Sequence, residues 1–156
     1  MENKEQLARS YFKQGYNCAQ SVFLAYAKDY GFDKTTALKL SSSFGGGMGR
    51  LREVCGAASS MFMIAGLEDG YTEINDNDEA KTKHYQLIQN LGKEFKNING
   101  SLICRELLGL EKDEDTSFVP SKRTEEYYQN RPCENIIGNT CKIIDKYLAT
   151  KKAVNN

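Results

Sequence analysis

Apolar residues recur three and four positions apart along most of the chain, which is the spacing of one face of an α-helix. In the first such segment, 3–14, Leu7, Ala8 and Phe12 fall on one face, and Gly15 follows where a helix would end. Alternating runs of β-branched residues, which are typical of strands, are almost absent. The pattern therefore predicts an all-α protein.

Capping residues and apolar spacing predict further helices. They run from Asn17 to near Gly31, from Asp33 to the residue before the glycine run, from Arg52 or Glu53 through Leu67, from Asp76 or Asn77 to about Asn97, over 101–108, over 124–129, and from Pro132 through Leu148. The segment that ends at Leu67 is apolar on nearly every side, which is typical of a helix in the middle of a bundle. We expect a single-domain bundle of about seven helices, with a glycine-rich loop before a buried central helix.

Two segments are predicted to lie outside this packing. Residues 111–122 are polar and charged and include Pro120, so they are the best candidate for a mobile loop. The tail, 151–156, is predicted to be frayed.

Charge and length limit the possible functions. The chain has 156 residues, with 21 basic and 21 acidic side chains. Such a balance gives no broad basic field, so neither nucleic acid nor an acidic membrane surface is expected as a partner. The polar start lacks the apolar core of a secretory signal, and the longest apolar run, 54–67, is too short to span a membrane. We therefore expect a cytoplasmic protein without a membrane span.

Four of the five cysteines fall where the local sequence predicts the start of a helix: Cys18, Cys55, Cys104 and Cys133. A helix N-terminus presents unpaired N–H groups and a partial positive charge, which favour a thiolate over a thiol. The odd number of cysteines argues against a permanent disulfide framework. The placement indicates sulfur chemistry, either redox exchange or metal binding.

A run of glycines precedes Cys55. Gly45, Gly46, Gly47 and Gly49 can turn sharply and direct N–H groups into one concavity, which suits an anion such as a thiolate or the sulfide of an iron–sulfur cluster. Arg50 and Arg52 lie beside it, and we expect them to lower the pKa of Cys55. A nucleotide loop is disfavoured, because the Lys-Ser/Thr pair and the preceding strand are missing. A tight turn that binds nothing is the alternative.

Several of these motifs together resemble the C_GCAxxG_C_C family of redox proteins. They are the segments 15–22, 44–50, 55–57 and 104–109, and finally Cys133. The resemblance implies that Cys18, Cys55, Cys104 and Cys133 are the defining residues, and it implies redox chemistry without naming a substrate. It also implies a possible association with a transporter. The chain departs from the family pattern at Ser60, where the family has glycine; because serine is small, close packing should survive there.

Three functions remain open from the residues. We favour a metal ion or iron–sulfur centre held by the four cysteines and used for electron transfer. The second is thiol–disulfide exchange, with Cys55 attacking and Cys18 or Cys104 resolving. The third is a helical adaptor beside a transporter, and a redox partner protein or a homodimer is compatible with each. A thioredoxin-type dithiol is excluded, because no Cys-x-x-Cys occurs.

Two other residues of metal-ligand type receive structural interpretations. Cys141 lies in the middle of the last predicted helix, next to Ile143 and Ile144, and is predicted to be a core residue. His84, the only histidine, is predicted to be a core or boundary residue rather than a ligand.

Overall fold

The computed structural model describes residues 2–74 and 78–155. Its helices are α1 (Lys4–Lys13), α2 (Cys18–Ala27), α3 (Lys34–Ser41), the short α4 (Gly45–Met48), α5 (Gly56–Asp69), α6 (Glu79–Asn99), α7 (Cys104–Leu107), α8 (Glu125–Asn130) and α9 (Cys133–Asn155). Two 3-10 turns, Lys28–Tyr30 and Ser42–Phe44, follow α2 and α3. The described ranges contain no β-strand and one isolated bridge, between Val54 and Ile103. The all-α prediction is confirmed.

Local signals in the sequence set the first helices. The Asn3 side chain accepts a hydrogen bond from the backbone N–H of Gln6, so it caps α1. Asn17 and Gln20 form a reciprocal capping box at the start of α2. Gly15 and Gly31, with φ of +107° and +83°, end these two segments in conformations that favour glycine.

Helix α5 lies in the middle of the bundle, as its apolar composition predicts. It packs mainly on α2, with α6 and α9 beside it, and its first six residues, 56–61, are all buried. The hydroxyl of Ser60 donates to the carbonyl of Ala19 at 2.6 Å. The serine that replaces the family's glycine therefore keeps α2 and α5 in close contact and has a partner for its polar group.

The start predicted for the central helix, Arg52 or Glu53, is wrong, because α5 begins at Gly56. Arg52 has a φ of +63°, which a right-handed helix cannot include. The next residues are extended, and the N–H of Cys55 donates to the carbonyl of Leu102 at 2.8 Å. A tertiary contact thus displaces the first turn of the predicted helix.

Other boundaries differ less. The predicted start of the long helix at Asp76 or Asn77 lies outside the described residues, and α6 begins at Glu79. Residues 111–122 contain no helix, as expected. The tail predicted to be frayed is instead helical to Asn155, as part of α9. Within the described ranges, no helix combines the length and the apolar character needed to cross a membrane.

Candidate functional site

The four cysteines predicted at helix starts are found there. Cys18, Cys104 and Cys133 are the first residues of α2, α7 and α9, and Cys55 precedes the first residue of α5. Local signals set the start of α2, where Asn17 caps the helix before Cys18, whereas a tertiary pairing sets the entries to α5 and α7. At Cys55 the N–H groups of Ala57 and Ala58 lie beside the thiol.

These cysteines line one cavity of about 300 Å³. Cys55 and Cys104 are buried in its wall, whereas Cys18 and Cys133 are half-buried. Cys141 does not line the cavity and lies fully buried in the core, as predicted. The fold thus brings together residues that lie up to 115 positions apart in the sequence.

A backbone pairing joins the two segments that lead into Cys55 and Cys104. The N–H of Cys55 donates to Leu102, and the N–H of Cys104 donates to the carbonyl of Glu53 at 2.6 Å. The two bonds flank the bridge between Val54 and Ile103. This pairing fixes the entries to α5 and α7 together, and nothing in the local sequence predicts it.

The glycine run forms a left-handed turn. Residues 46–50 all have positive φ, including Met48 and Arg50 at +69°. The N–H groups of residues 49–53 donate to carbonyls of the turn itself, so these five groups are not directed toward an anion. Gly45, Gly46, Gly49 and Arg50 nevertheless line the cavity.

Two glycines make room for cysteine side chains. A Cβ atom on Gly47 would lie 2.6 Å from the Cβ of Cys104, and a Cβ on Gly56 would lie 2.6 Å from the sulfur of Cys18. Gly47 is absent from the cavity wall, unlike the other glycines of the run. Its contribution is to support Cys104 from behind.

The expectation that Cys55 has a lowered pKa is wrong. Burial raises the pKa of its thiol well above the ordinary value, and the nearby Cys18 acts in the same direction. The N–H groups of Ala57 and Ala58 at the start of α5 oppose this rise without overcoming it. The guanidinium groups of Arg50 and Arg52 form ion pairs with Asp115, so they are not directed at the Cys55 thiol.

Cys104 is the cysteine that an arginine contacts. Nη1 of Arg52 donates to its sulfur at 3.6 Å. Burial raises the pKa of Cys104, and the hydrogen bond and charge of Arg52 limit the rise. Burial also raises the pKa of Cys133, to about 12. Without a bound cation, the thiols of Cys55, Cys104 and Cys133 are therefore protonated at neutral pH.

The polar residues around the cysteines include several that sequence reasoning missed. Arg123 and Arg131 line the cavity, and Asp115 holds arginines behind its wall. The sequence assigned 111–122 to a mobile loop, yet Asp115 is anchored there by ion pairs. These residues can be identified only from the ion pairs that form in the folded structure.

His84 lies in a different place. It lines a second cavity of about 500 Å³, together with Asp69, Tyr147 and Lys151, and no cysteine lines that cavity. Among the residues that the structure describes, none is a hydrogen-bond partner of its buried Nδ1 atom. The histidine therefore does not join the four cysteines.

The donor set of the first cavity has the chemistry of a soft-metal site. Four thiols are the ligands that zinc and iron–sulfur centres use. In the described part of the chain, however, no three His, Cys, Asp or Glu side chains lie close enough together to hold a metal ion. The four cysteines line one cavity, and no such metal-binding group is found among these described residues.

Comparison with known protein families identifies the family of this chain. The model of a family described as "Putative redox-active protein (C_GCAxxG_C_C)" matches residues 16–147, which include all four cavity cysteines. No curated protein and no solved structure matches the chain.

Proposed function

Since the chain belongs to the C_GCAxxG_C_C family of redox-active proteins, we propose that Cys18, Cys55, Cys104 and Cys133 act as one redox site and hold an iron–sulfur centre for electron transfer. One observation carries the proposal: cysteines from four separate helix starts line a single cavity. Cys141, by contrast, is fully buried in the core and does not line this cavity.

The residues around the sulfurs suit negative charge. Ala57 and Ala58 direct N–H groups toward Cys55, and Arg52 donates to Cys104. Such donors stabilise thiolates and, in a bound centre, favour the reduced and more negative state. When bound, an iron–sulfur centre supplies one-electron transfer. The chain's contribution is to provide the ligands, the hydrogen-bond donors and a partly dry surrounding.

A [4Fe–4S] centre places a looser requirement on the sulfur positions than a single metal ion does. Zinc–sulfur bonds of about 2.3 Å place tetrahedral thiolate ligands roughly 3.8 Å apart. In a [4Fe–4S] centre each of the four cysteines binds a different iron atom, so the sulfurs can lie in a wider ring, such as one around the wall of a cavity.

The raised pKa values favour metal binding over thiol exchange. A thiol must lose its proton before it can attack a disulfide, and burial opposes this step at Cys55, Cys104 and Cys133. A metal cation displaces the proton directly. Exchange keeps one supporting contact, because Cys18 lies against Gly56, the residue after Cys55. A Cys18–Cys55 disulfide is therefore the second candidate.

Anaerobic purification separates the two candidates. The iron–sulfur proposal expects iron, acid-labile sulfide and visible absorbance in the purified protein or after reconstitution with iron and sulfide. Cys104→Ser should lower the iron content strongly, whereas Cys141→Ala, the matched control outside the cavity, should retain it. A colourless protein that loses two thiols on mild oxidation, with Cys18 and Cys55 joined, would contradict the metal centre and support exchange.

The location and the partners of the protein stay predictions. We expect a cytoplasmic protein that works with a redox partner protein, is associated with a transporter and forms a homodimer. Co-purification from cells under reducing conditions would identify a partner, and Cys104→Ser would show whether the partner depends on the site.

A further inference from the structure

The wall of the cysteine cavity contains positively charged side chains that no acidic side chain in the described wall neutralises. Four arginines line it: Arg50, Arg52, Arg123 and Arg131. Among the described residues that form the wall, none is Asp or Glu. The remaining wall is largely apolar and includes Phe118, which is 91% exposed and marks the open side of the cavity.

One carboxylate behind the wall holds three of these arginines. Asp115 accepts from Nη2 of Arg50 at 2.6 Å, from Nη2 of Arg52 at 3.1 Å and from Nη2 of Arg131 at 3.3 Å. The backbone carbonyl of Asp115 also accepts from Nε of Arg52 at 3.0 Å. A single negative charge thus orders three positive ones and leaves a net charge of two.

The fourth arginine is fixed by neutral groups. Arg123 donates to the backbone carbonyls of Phe12 and Tyr16, and its guanidinium carbon lies 4.4 Å from the centre of the Phe12 ring. Its hydrogen bonds and ring contacts hold it in place, and no ion pair of Arg123 is found in the described structure. It adds a further uncompensated positive charge to the cavity.

The surplus positive charge of the four arginines is larger than the negative charge of a bound iron–sulfur centre. An oxidised four-cysteine iron–sulfur centre has a net charge of about minus two, which leaves one of the three surplus positive charges unmatched. Arg52, with 3% of its surface exposed, contacts Cys104, whereas Arg50 turns toward Ser117 and Ser121 of the loop beside Phe118. The positive charge therefore extends from the sulfurs to the open side.

We infer that the cavity binds a small oxyanion beside the cysteines. Arg50 and Arg131, which Asp115 holds in position, bind the anion together with Arg123. The inference rests on the proposed function only in that the anion would occupy the same cavity as the redox cysteines, beside the sulfurs. Guanidinium groups recognise oxyanions through paired N–H donors, and a partly buried position strengthens each bond. The starts of α2, α5 and α9 at the same cavity add partial positive charge.

Binding of sulfate and of phosphate to the reduced, metal-free protein tests the inference. Isothermal titration calorimetry at low ionic strength should detect both ions, and Arg131→Gln should weaken binding by about tenfold or more. The matched control is Arg105→Gln. Arg105 lies next to Cys104 in the sequence but pairs with Glu53 and is absent from the cavity wall. The control should bind as the wild type does.

A second measurement guards against an unfolded variant. Sulfate should slow alkylation of Cys104 by neutral iodoacetamide in the wild type, and Arg131→Lys, which keeps the charge, should retain part of this protection. The inference is overturned if neither ion binds, or if Arg131→Gln and Arg105→Gln weaken binding equally.

The two proposals can fail separately. A protein that carries iron and cycles electrons but binds neither ion overturns the oxyanion site alone. If sulfate binds in a manner sensitive to Arg131 while the cysteines show neither metal nor oxidation, the binding site stands and the redox function fails.

Discussion

At the scale of single residues, the cavity cysteines differ in their neighbours. Cys104 has the Arg52 guanidinium at hydrogen-bonding distance, whereas Cys55 has only helix N–H groups to oppose its burial. Arg52 lies three positions before Cys55 in the sequence and was therefore expected beside that residue. In the structure its guanidinium contacts Cys104 instead. Its left-handed φ of +63° turns the side chain toward α7 and Asp115.

Replacing Arg52 by Gln should therefore slow the reaction of Cys104 with iodoacetamide. Arg52 lowers the pKa of Cys104 against the effect of burial, so its loss raises that pKa further and reduces the thiolate fraction. We expect a decrease of several-fold to about tenfold at pH 8 in the metal-free, reduced protein. Mass spectrometry of the alkylated peptides measures it site by site.

Two comparisons make this result specific. Cys133 has Arg131 and Arg123 beside it, so its rate should change less than that of Cys104. Arg52→Lys keeps the positive charge and should restore part of the Cys104 rate. An unchanged or faster reaction of Cys104 in Arg52→Gln would contradict the assigned contact.

At the scale of elements, the left-handed turn and the short pairing between 53–55 and 102–104 act together. The carbonyl of Gly47 accepts from the N–H of Glu53 at 2.9 Å, and the carbonyl of Glu53 accepts from Cys104. The turn thus positions the segment that pairs with the entry to α7. Glycine is required at Gly47 both for its φ of +70° and for the space that Cys104 occupies.

Gly47→Ala should be more harmful than Gly49→Ala. Both positions have positive φ, and forcing alanine into this region costs about 1–3 kcal/mol of folding stability. Only at Gly47 would the new methyl group also overlap backbone and the Cys104 side chain, since the nearest atom to a Cβ on Gly49 is 3.9 Å away. Urea unfolding gives the difference in stability, and iron content after reconstitution gives the effect on the site. Equal losses in both variants would show that strain alone matters.

At the scale of the whole molecule, α2, α5 and α9 share the core, and polar contacts inside it tie distant segments together. The hydroxyl of Tyr26 donates to Asp145 at 2.7 Å and to the carbonyl of Cys141. Burial raises the pKa of Cys141 to about 12. In the unfolded chain the same thiol ionises near its ordinary value of 9.0.

The metal-free protein should therefore lose stability as the pH rises above 9. Between pH 9 and 12 the unfolded state releases the Cys141 proton while the folded state retains it, so the contribution of this residue to stability is complete below pH 9 and falls above it. In Cys141→Ala, the decline of the unfolding free energy should be shallower by up to about 1.4 kcal/mol per pH unit. Urea titrations from pH 7 to 11 measure both slopes. Parallel curves would show that Cys141 is not held protonated.

Much of the fold follows from the sequence. Each predicted helix is present, and Asn17 caps α2 as predicted, whereas in the described structure Asp33 makes no side-chain capping hydrogen bond at α3. Boundaries fail where a distant segment intervenes, as at α5, whose first predicted turn is replaced by the pairing of Cys55 with Leu102. A helix start depends on hydrogen bonds within a few residues, so its signal is local, whereas that pairing joins segments nearly fifty residues apart.

The sequence alone indicated the helices and the glycine turn, and it placed Cys18, Cys55, Cys104 and Cys133 near helix starts, although the tertiary pairing sets where α5 begins. Tertiary structure decided that these cysteines line one cavity, that the arginines turn to Asp115 and Cys104, and that burial raises the thiol pKa values. The two sets of features differ in how far along the chain the interactions that fix them extend. Backbone geometry and capping act over three or four residues, but burial and charge depend on which distant segments the packing brings together.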